Sequence, residues 1–427
     1  MEIITNTLRY DPASSNLKYC QDSDGSYADI DNEDTGISYL YKPLVDILKN
    51  YTVEKTFVKD DKRNFFIRVT NSTKCLIEGS DINKSKIEKI CVCLKYWHGI
   101  SCSIPDTVCQ RRKYITAAEK NRKIVNAFPF SVEFELLDAR FSELGDIVDV
   151  FLILESTYTA YGEKKPLYLY NQLKRGKYKK YREKIVHVLL DYFPQEGYKN
   201  GWAVDNLLRN HLAKQGIQNQ LRNLDHDDIF MLNDADELPT RSTALFLKVN
   251  KDYPEPIGIN LSWRTYGFFY KAGRGITHVI TATTIGFLTH VFSLNGIWIR
   301  SAPHYMQKES SKLNAYLVMK KNEGSKSLIG VWSFGNKSHP SGWHCSWCVS
   351  LERKRVKLVS AQNGDFPRWG DYPEKRNLTY IKRIVSKGLW FDDKSEMTVV
   401  SKNSYFYAPC GLLDNFEKYT HILIRPT

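Results

Sequence analysis

Asp234 and Asp236 stand two residues apart in Asn233-Asp234-Ala235-Asp236, directly after the apolar run Asp228–Leu232. On an extended chain, residues at that spacing point to one side, roughly 6.5 Å apart. Two carboxylates so placed can share one hard divalent cation, or divide it with the phosphates of a ligand. The cation would neutralise a departing diphosphate, the charge stabilisation that dominates such transfers. An acidic turn that caps a helix uses the same residues without any metal. Pro239 fits a sharp chain turn under either reading.

A second group lies in Ser341-Gly-Trp-His-Cys-Ser-Trp-Cys348. The imidazole of His344 could complete a metal shell. Cys345 and Cys348 either bind zinc or close a short disulfide, and an oxidising compartment favours the disulfide. Downstream, Asn363–Tyr372 is dense in Gly, Pro, aromatic and acidic residues. Asp365 or Asp371 could act there as general base on an acceptor hydroxyl. Turn-forming acids explain both positions equally well.

These groups need a scaffold, and the intervening patterns describe one. Lys123–Ala127, Ile147–Leu154 (IVDVFLIL), Lys184–Leu190 and Asp228–Leu232 read as strands, the second apolar enough to be covered on both faces. Phe134, Leu137, Phe141 and Leu144 recur at helical spacing, with Gly145 at the expected stop. Trp202–Lys214 reads as a second helix, ended by Gly216. Alternation of strand and helix predicts an α/β fold with a parallel-rich central sheet. Ligands of such sheets bind outside the carboxyl ends of the strands, where Asp234 and Asp236 fall. The alternating region begins near 115 and runs to about 350, with a C-terminal extension to 427.

Six of the nine cysteines precede residue 110. Cys91-Val-Cys93, with Trp97 and Gly99 before Cys102, resembles the second half of an epidermal-growth-factor-like module. That resemblance implies a Cys93–Cys102 pair and a bond from Cys91 to an upstream cysteine such as Cys75, with zinc binding as the alternative. The chain thus divides into a poorly assigned region 1–74, a cysteine-stabilised EGF-like fragment 75–114, and a domain over 115–427.

Hydrophobic residues at 42% and charged ones at 26% exclude a largely disordered chain. The net charge of +13 points to acidic partners. It gathers in two runs, Lys174–Lys184 and Arg353–Lys357, with no nucleic-acid motif around them. Both read as solvated faces, or as help in holding an anionic diphosphate. The segment nearest to a membrane span, Ile276–Ile299, is interrupted by His278, His290 and Asn295. The opening MEIITNTLRYD has no signal-peptide pattern, yet six Asn-X-Ser/Thr acceptors favour the secretory pathway. Either a membrane anchor lies upstream of this chain or the protein reaches the lumen some other way, with secretion as the alternative.

Longer stretches are more specific. Phe134–Leu167, Asp227–Pro239, GWHCSWC, Ser360–Ile381 and the late YAPCGLLDNFEKY resemble the β-1,4-mannosyl-glycoprotein 4-β-N-acetylglucosaminyltransferases, the bisecting N-acetylglucosaminyltransferase III family. The resemblance runs from about Arg122 to the C-terminus. It implies a GT-A-like nucleotide-sugar transferase domain in the Golgi lumen. The implied reaction is inverting transfer of N-acetylglucosamine from UDP-N-acetylglucosamine, with Mn2+, to the core β-mannose of a glycoprotein N-glycan. By the same resemblance Asp234 and Asp236 hold the metal with His344 as a further ligand, Glu155 and Ser156 face the nucleotide, and Asp365 is the base. Asn233 replaces a family Asp, implying a slightly weaker metal site, and Leu154 replaces a family Cys. Two other readings use the same residues: a catalytically silent glycan-binding protein, and a glycoside hydrolase built on paired carboxylates.

Overall fold

The computed structural model describes residues 48, 51–108, 115–325, 329–360 and 368–426. Its central strands are buried on both faces because their side chains alternate between two apolar layers. Strand β1 (Ile124–Pro129) sends Ile124 and Phe128 to one layer, Val125 and Ala127 to the other. Strand β2 (Val150–Ser156) divides Phe151 and Ile153 from Val150, Leu152 and Leu154 in the same way. Helix α1 (Phe134–Leu144) covers the first layer with Leu136, Leu137, Phe141 and Leu144.

The chain continues through α2 (Tyr168–Lys174), β3 (Ile185–Leu190), α3 (Gly201–His211), β4 (Ile229–Leu232), β5 (Glu237–Pro239) and α4 (Arg241–Val249). There follow β6 (Glu255–Thr265), β7 (Gly267–Thr284), α5 (Gly296–Arg300), β8 (Ile329–Phe334) and β9 (Gly342–Ser346). The described residues end with α6 (Leu351–Ser360), α7 (Leu378–Lys387), β10 (Thr398–Val399) and α8 (Cys410–Asp414), among shorter elements. Among the described residues the large sheet has ten strands in the order β5-β9-β6-β7-β4-β1-β2-β3, with β8 beside β6 and β10 beside β7.

Only part of this sheet is parallel. β4, β1, β2 and β3 run together, as predicted, and β6 runs parallel to β8 and β9. The expected parallel-rich sheet is completed as a mixed one by the long β6–β7 hairpin, whose antiparallel ladder also joins β7 to β4. The Thr- and Ile-rich segment before Ile285 lies in β7, where β-branched side chains suit a pleated surface. Among the described residues no helix is long and apolar enough to cross a membrane.

Two glycines have other duties than the predicted ones. Gly145 does end α1, but in a right-handed conformation; a Cβ there would meet Phe141 O at 2.3 Å and Tyr181 at 2.4 Å. Gly216 ends nothing. The helix runs on beyond His211 through widened π-type turns to Gln220, and a Cβ on Gly216 would lie 2.2 Å from Leu152. Close packing, rather than termination, requires it.

Among the described residues Cys75 pairs with Cys91, Cys93 with Cys102 and Cys345 with Cys348, and Cys410 is also disulfide-bonded. The first two clip short strands and the helix Ile82–Glu88 into a small unit. That unit docks on α4: Arg241 Nε donates to Glu78 at 2.8 Å, and Ser103 Oγ donates to Asn250 at 3.0 Å.

The far end of the chain is tied to α1, where Glu143 accepts the amide of Cys410 at 3.1 Å. Burial lifts the Glu143 carboxyl to about 7 against the opposing pull of Arg241. An unfolded glutamate titrates near about 4.3, so between those values the folded chain binds more protons than the unfolded one. Stability contributed by this group is therefore full below that window and falls as pH rises through it. Glu143→Gln should then raise the melting temperature relative to the parent more at pH 7.5 than at pH 5. An equal gap at both pH values in thermal unfolding would show that no charge is being forced into this contact.

Candidate active site

Parallel strands β1, β2 and β3 spread to one side, and the next parallel strand, β4, returns to the other side of β1. Between β1 and β4 the winding direction switches, and in open α/β sheets the ligand crevice lies at the strands' carboxyl ends at such a switch. The Asp-x-Asp segment leaves β4 at that place. It is not extended: residues 234–237 form a turn closed from both sides. Glu237 N donates to Asp234 O at 3.0 Å, and Asp234 N donates to the Glu237 carboxylate at 2.9 Å.

Arg140 of α1 holds this turn from below. Its Nη2 donates to the carbonyls of Asp234 (2.8 Å), Ala235 (3.2 Å) and Glu237 (2.7 Å), and its Nη1 to Asn126 Oδ1 at 2.9 Å. The side chain is fully buried, with its guanidinium 4.3 Å from the Phe128 ring centroid. Burial pushes Arg140 down to about 10 although the three nearby carboxylates pull it up. It stays charged at neutral pH.

Because the chain turns, the two aspartates do not share one side as an extended pair would. Asp234 takes a two-pronged contact from Arg209 Nη2 of α3 at 2.7 and 2.9 Å, with Arg300 Nη2 of α5 at 3.3 Å. Burial alone would raise its carboxyl, but Arg209 and Arg300 outweigh that and hold it well below the usual range. Arg209 is anchored in turn by Asp205 one helical turn earlier, and Arg300 reaches Glu237 at 2.5 Å.

Asp236 faces other partners. Lys357 Nζ of α6 lies 3.3 Å from Oδ2 and also 3.1 Å from Glu133. The Oδ1 atom of Asp236 lies 3.6 Å from His344 Nε2. His344 is brought there by β9, which pairs antiparallel with β5 so that His344 stands opposite Glu237. Its ring is parallel to that of Trp263, 4° between planes and 5.8 Å between centroids. Ser346 Oγ is 3.2 Å from Nε2, and the buried Nδ1 has no hydrogen-bond partner among the described residues. The turn after β9 is closed by the Cys345–Cys348 disulfide.

Asp236 and His344 thus converge, whereas Asp234 is committed to two arginines. Among the described residues no three His, Cys, Asp or Glu side chains form a cluster that could hold a metal by themselves. One carboxylate oxygen and one imidazole nitrogen side by side do suit a divalent cation that takes its remaining ligands from phosphates and water.

Glu155 and Ser156 end β2, two strands from β4 at the same sheet edge. The Glu155 carboxylate is fully buried and accepts the amides of Leu169 and Tyr170, each at 2.8 Å, at the start of α2. His187 Nε2 lies 2.9 Å away. Ser156 Oγ accepts the amide of Tyr158 at 3.0 Å. Asn233 is buried, bonded to Asn126 and Thr281, each at 2.8 Å, so the exchange there is absorbed by the sheet interior. Leu154 packs in the apolar layer. Asp365 lies outside the described residues. Asp371 lies 3.2 Å from Arg368 Nε.

The charged frame of Arg140, Arg209, Arg300, Glu237 and Lys357 was not identified from the sequence. One signal was present: Arg140 occupies the apolar stripe Leu137, Phe141, Leu144 of α1, where an unpaired charge is costly. The run Arg353–Lys357 is also corrected. It is no solvated face throughout, since Lys354 and Lys357 are buried and Lys357 reaches Asp236.

A model of glycosyltransferase family 17 matches residues 90–284. The beta-1,4-mannosyl-glycoprotein 4-beta-N-acetylglucosaminyltransferases of Rattus norvegicus, Homo sapiens and Mus musculus are each 40% identical over 341 residues. The match takes in 79% of this chain, which spans 62% of the length of these curated relatives. No solved structure matches the chain. Residues 90–284 thus match glycosyltransferase family 17, and most of the chain is similar to the beta-1,4-mannosyl-glycoprotein 4-beta-N-acetylglucosaminyltransferases.

Proposed function

We propose that this chain transfers N-acetylglucosamine from UDP-N-acetylglucosamine to the core β-mannose of glycoprotein N-glycans, in β1,4 linkage and with inversion. The observation that carries the reading is the approach of Asp236 to His344, 3.6 Å apart, beside the switch point of the parallel strands. The names of the relatives supply the donor sugar and acceptor. The strand order β3-β2-β1-β4 followed by antiparallel β7 supports a GT-A-like arrangement. Disulfides such as Cys75–Cys91, Cys93–Cys102 and Cys345–Cys348 fit an oxidising lumen, here the Golgi.

Asp236 and His344 would hold a divalent cation such as Mn2+, which would supply charge neutralisation to the departing diphosphate. Lys357 keeps the second oxygen of Asp236 fixed. Arg209 and Arg300 hold Asp234 ionised beside the crevice, so the local charges are set before substrate arrives. Asp365, between the end of α6 and Arg368, takes the proton of the acceptor hydroxyl. As it does so, the hydroxyl oxygen bonds to the anomeric carbon and the bond from that carbon to the diphosphate oxygen breaks.

Purified protein incubated with UDP-N-acetylglucosamine, Mn2+ and a biantennary glycan lacking galactose should add one N-acetylhexosamine, β1,4-linked to the core mannose. Mass spectrometry with linkage analysis reads it. Sugar added elsewhere would reassign the acceptor, and donor binding without any product would make the chain a silent relative.

Asp236→Asn should lower turnover by about a hundredfold or more while leaving the melting temperature near that of the parent. His344→Ala should raise the Mn2+ concentration for half-maximal activity at least about tenfold. A metal titration that coincides with the parent's would remove His344 from the metal site.

A further inference from the structure

After β2 the chain folds back on itself over residues 157–165. Thr159 N donates to Glu163 O at 2.8 Å, and Lys165 N donates to Thr157 O at 2.8 Å. This hairpin stands at the carboxyl edge of the sheet. Its tip meets the end of α6, the helix that carries Lys357, through Ala160 N to Ser360 O at 3.2 Å. Arg368 lies across the ring of Tyr161, 3.0 Å from its centroid. Both contacts flank the segment that contains Asp365.

Lys165, at the base of the hairpin, is 8% exposed. Among the described residues its ammonium makes one hydrogen bond, a long one of 3.5 Å to Pro166 O, and stands 5.5 Å from the Tyr168 ring centroid. The acidic groups that attract it, Glu155 and Glu133, are engaged elsewhere. Glu155 serves two amides and His187, while Glu133 serves Lys357 and the amides of Ser131 and Val132. Most other buried lysines are placed differently: Lys123, Lys248, Lys320 and Lys357 each have a carboxylate oxygen within 3.3 Å, whereas Lys354, away from the hairpin, donates to the carbonyl of Val349. Burial lowers the affinity of Lys165 for its proton, which those two distant carboxylates oppose. A desolvated ammonium with two unused donors costs several kcal/mol unless an oxygen ligand completes it.

We propose that Lys165 binds the donor nucleotide, giving its ammonium to an oxygen of the UDP moiety, either a phosphate oxygen or a carbonyl of the pyrimidine. The assignment rests on the transfer reading above and adds to it a residue at the far end of the crevice. A nucleotide with its diphosphate at Asp236 can extend across the end of β1 toward β2, two strand spacings or about 10 Å away.

The test is calorimetric binding of UDP with Mn2+, and of uridine monophosphate and uridine, to the parent and to Lys165→Met, Lys165→Gln and Lys165→Arg, each with its melting temperature. Lys165→Met and Lys165→Gln should weaken UDP about 10- to 100-fold, the value of one charge-assisted hydrogen bond. They should melt at or above the parent's temperature, and Lys165→Arg should recover part of the affinity. A loss shared by all three ligands places the contact on the pyrimidine, a loss shared by UDP and uridine monophosphate but not uridine places it on the α-phosphate, and a loss confined to UDP places it on the β-phosphate. UDP binding at parental strength by the folded Met or Gln variant would overturn the assignment. Failure of the parent itself to bind UDP would overturn the transfer reading, and the assignment with it.

Discussion

One buried guanidinium fixes the site. Arg140 collects three consecutive-turn carbonyls from Asp234, Ala235 and Glu237, and it does so from a helix that the apolar layer of the sheet holds in place. Those carbonyls leave the end of a buried strand, where an unsatisfied group costs about 1–3 kcal/mol. A neutral donor could satisfy one of them. Only a forked, permanently charged group satisfies three while facing Asn126 at the same time. The turn so fixed sends two neighbouring carboxylates to different cations, and every other group of the crevice is placed relative to that division.

Much of this framework is legible in the chain. The parallel strands announce themselves because both of their faces are buried, so apolar residues run nearly without interruption. The antiparallel half was not legible for the converse reason. Strands β6 and β7 mix Asn260, Ser262, Arg264 and a series of threonines with aromatic residues, and that mixture carries neither a clean alternation nor an unbroken apolar run. The cation partners were hidden by distance along the chain. Arg209 comes 25 residues before Asp234, Arg300 comes 63 after Glu237, and Lys357 comes 121 after Asp236. Each sits on a different helix, and only folding puts the three around one turn. Lys357 was further disguised by its basic neighbours, since a charge run reads as solvent-facing until the helix is seen to bury one side.

Charges of alternating sign continue along the carboxyl edge of the sheet. Asp236 touches Lys357, Lys357 touches Glu133, and beyond the attraction of Glu133 and Glu155 for Lys165 comes the contact of Glu155 with His187. Such a row crosses the ends of β4, β1 and β2, its carboxylates and ammoniums nearly balanced, before it reaches His187 within β3. It also limits where a new anion can settle, because most members already have a partner within hydrogen-bonding distance.

The separate fates of Asp234 and Asp236 follow from the shape of the chain between them. In an extended segment, two carboxylates about 6.5 Å apart on one side would compete for the same cation. In the turn, Asp234 is neutralised by fixed guanidiniums that no change of ligand need disturb, while Asp236 keeps an oxygen beside His344. A permanent counter-charge and an exchangeable one are thereby kept apart. In the proposed transfer, the first holds the electrostatics of the crevice constant while the donor enters, and the second responds to the diphosphate as charge develops on it. A metal site built from both aspartates would have to break the Arg209 contact each time it filled, losing a charge-assisted pair already desolvated. One built on Asp236 and His344 leaves that pair intact, and for this reason the geometry favours division of labour between the two residues over a shared grip.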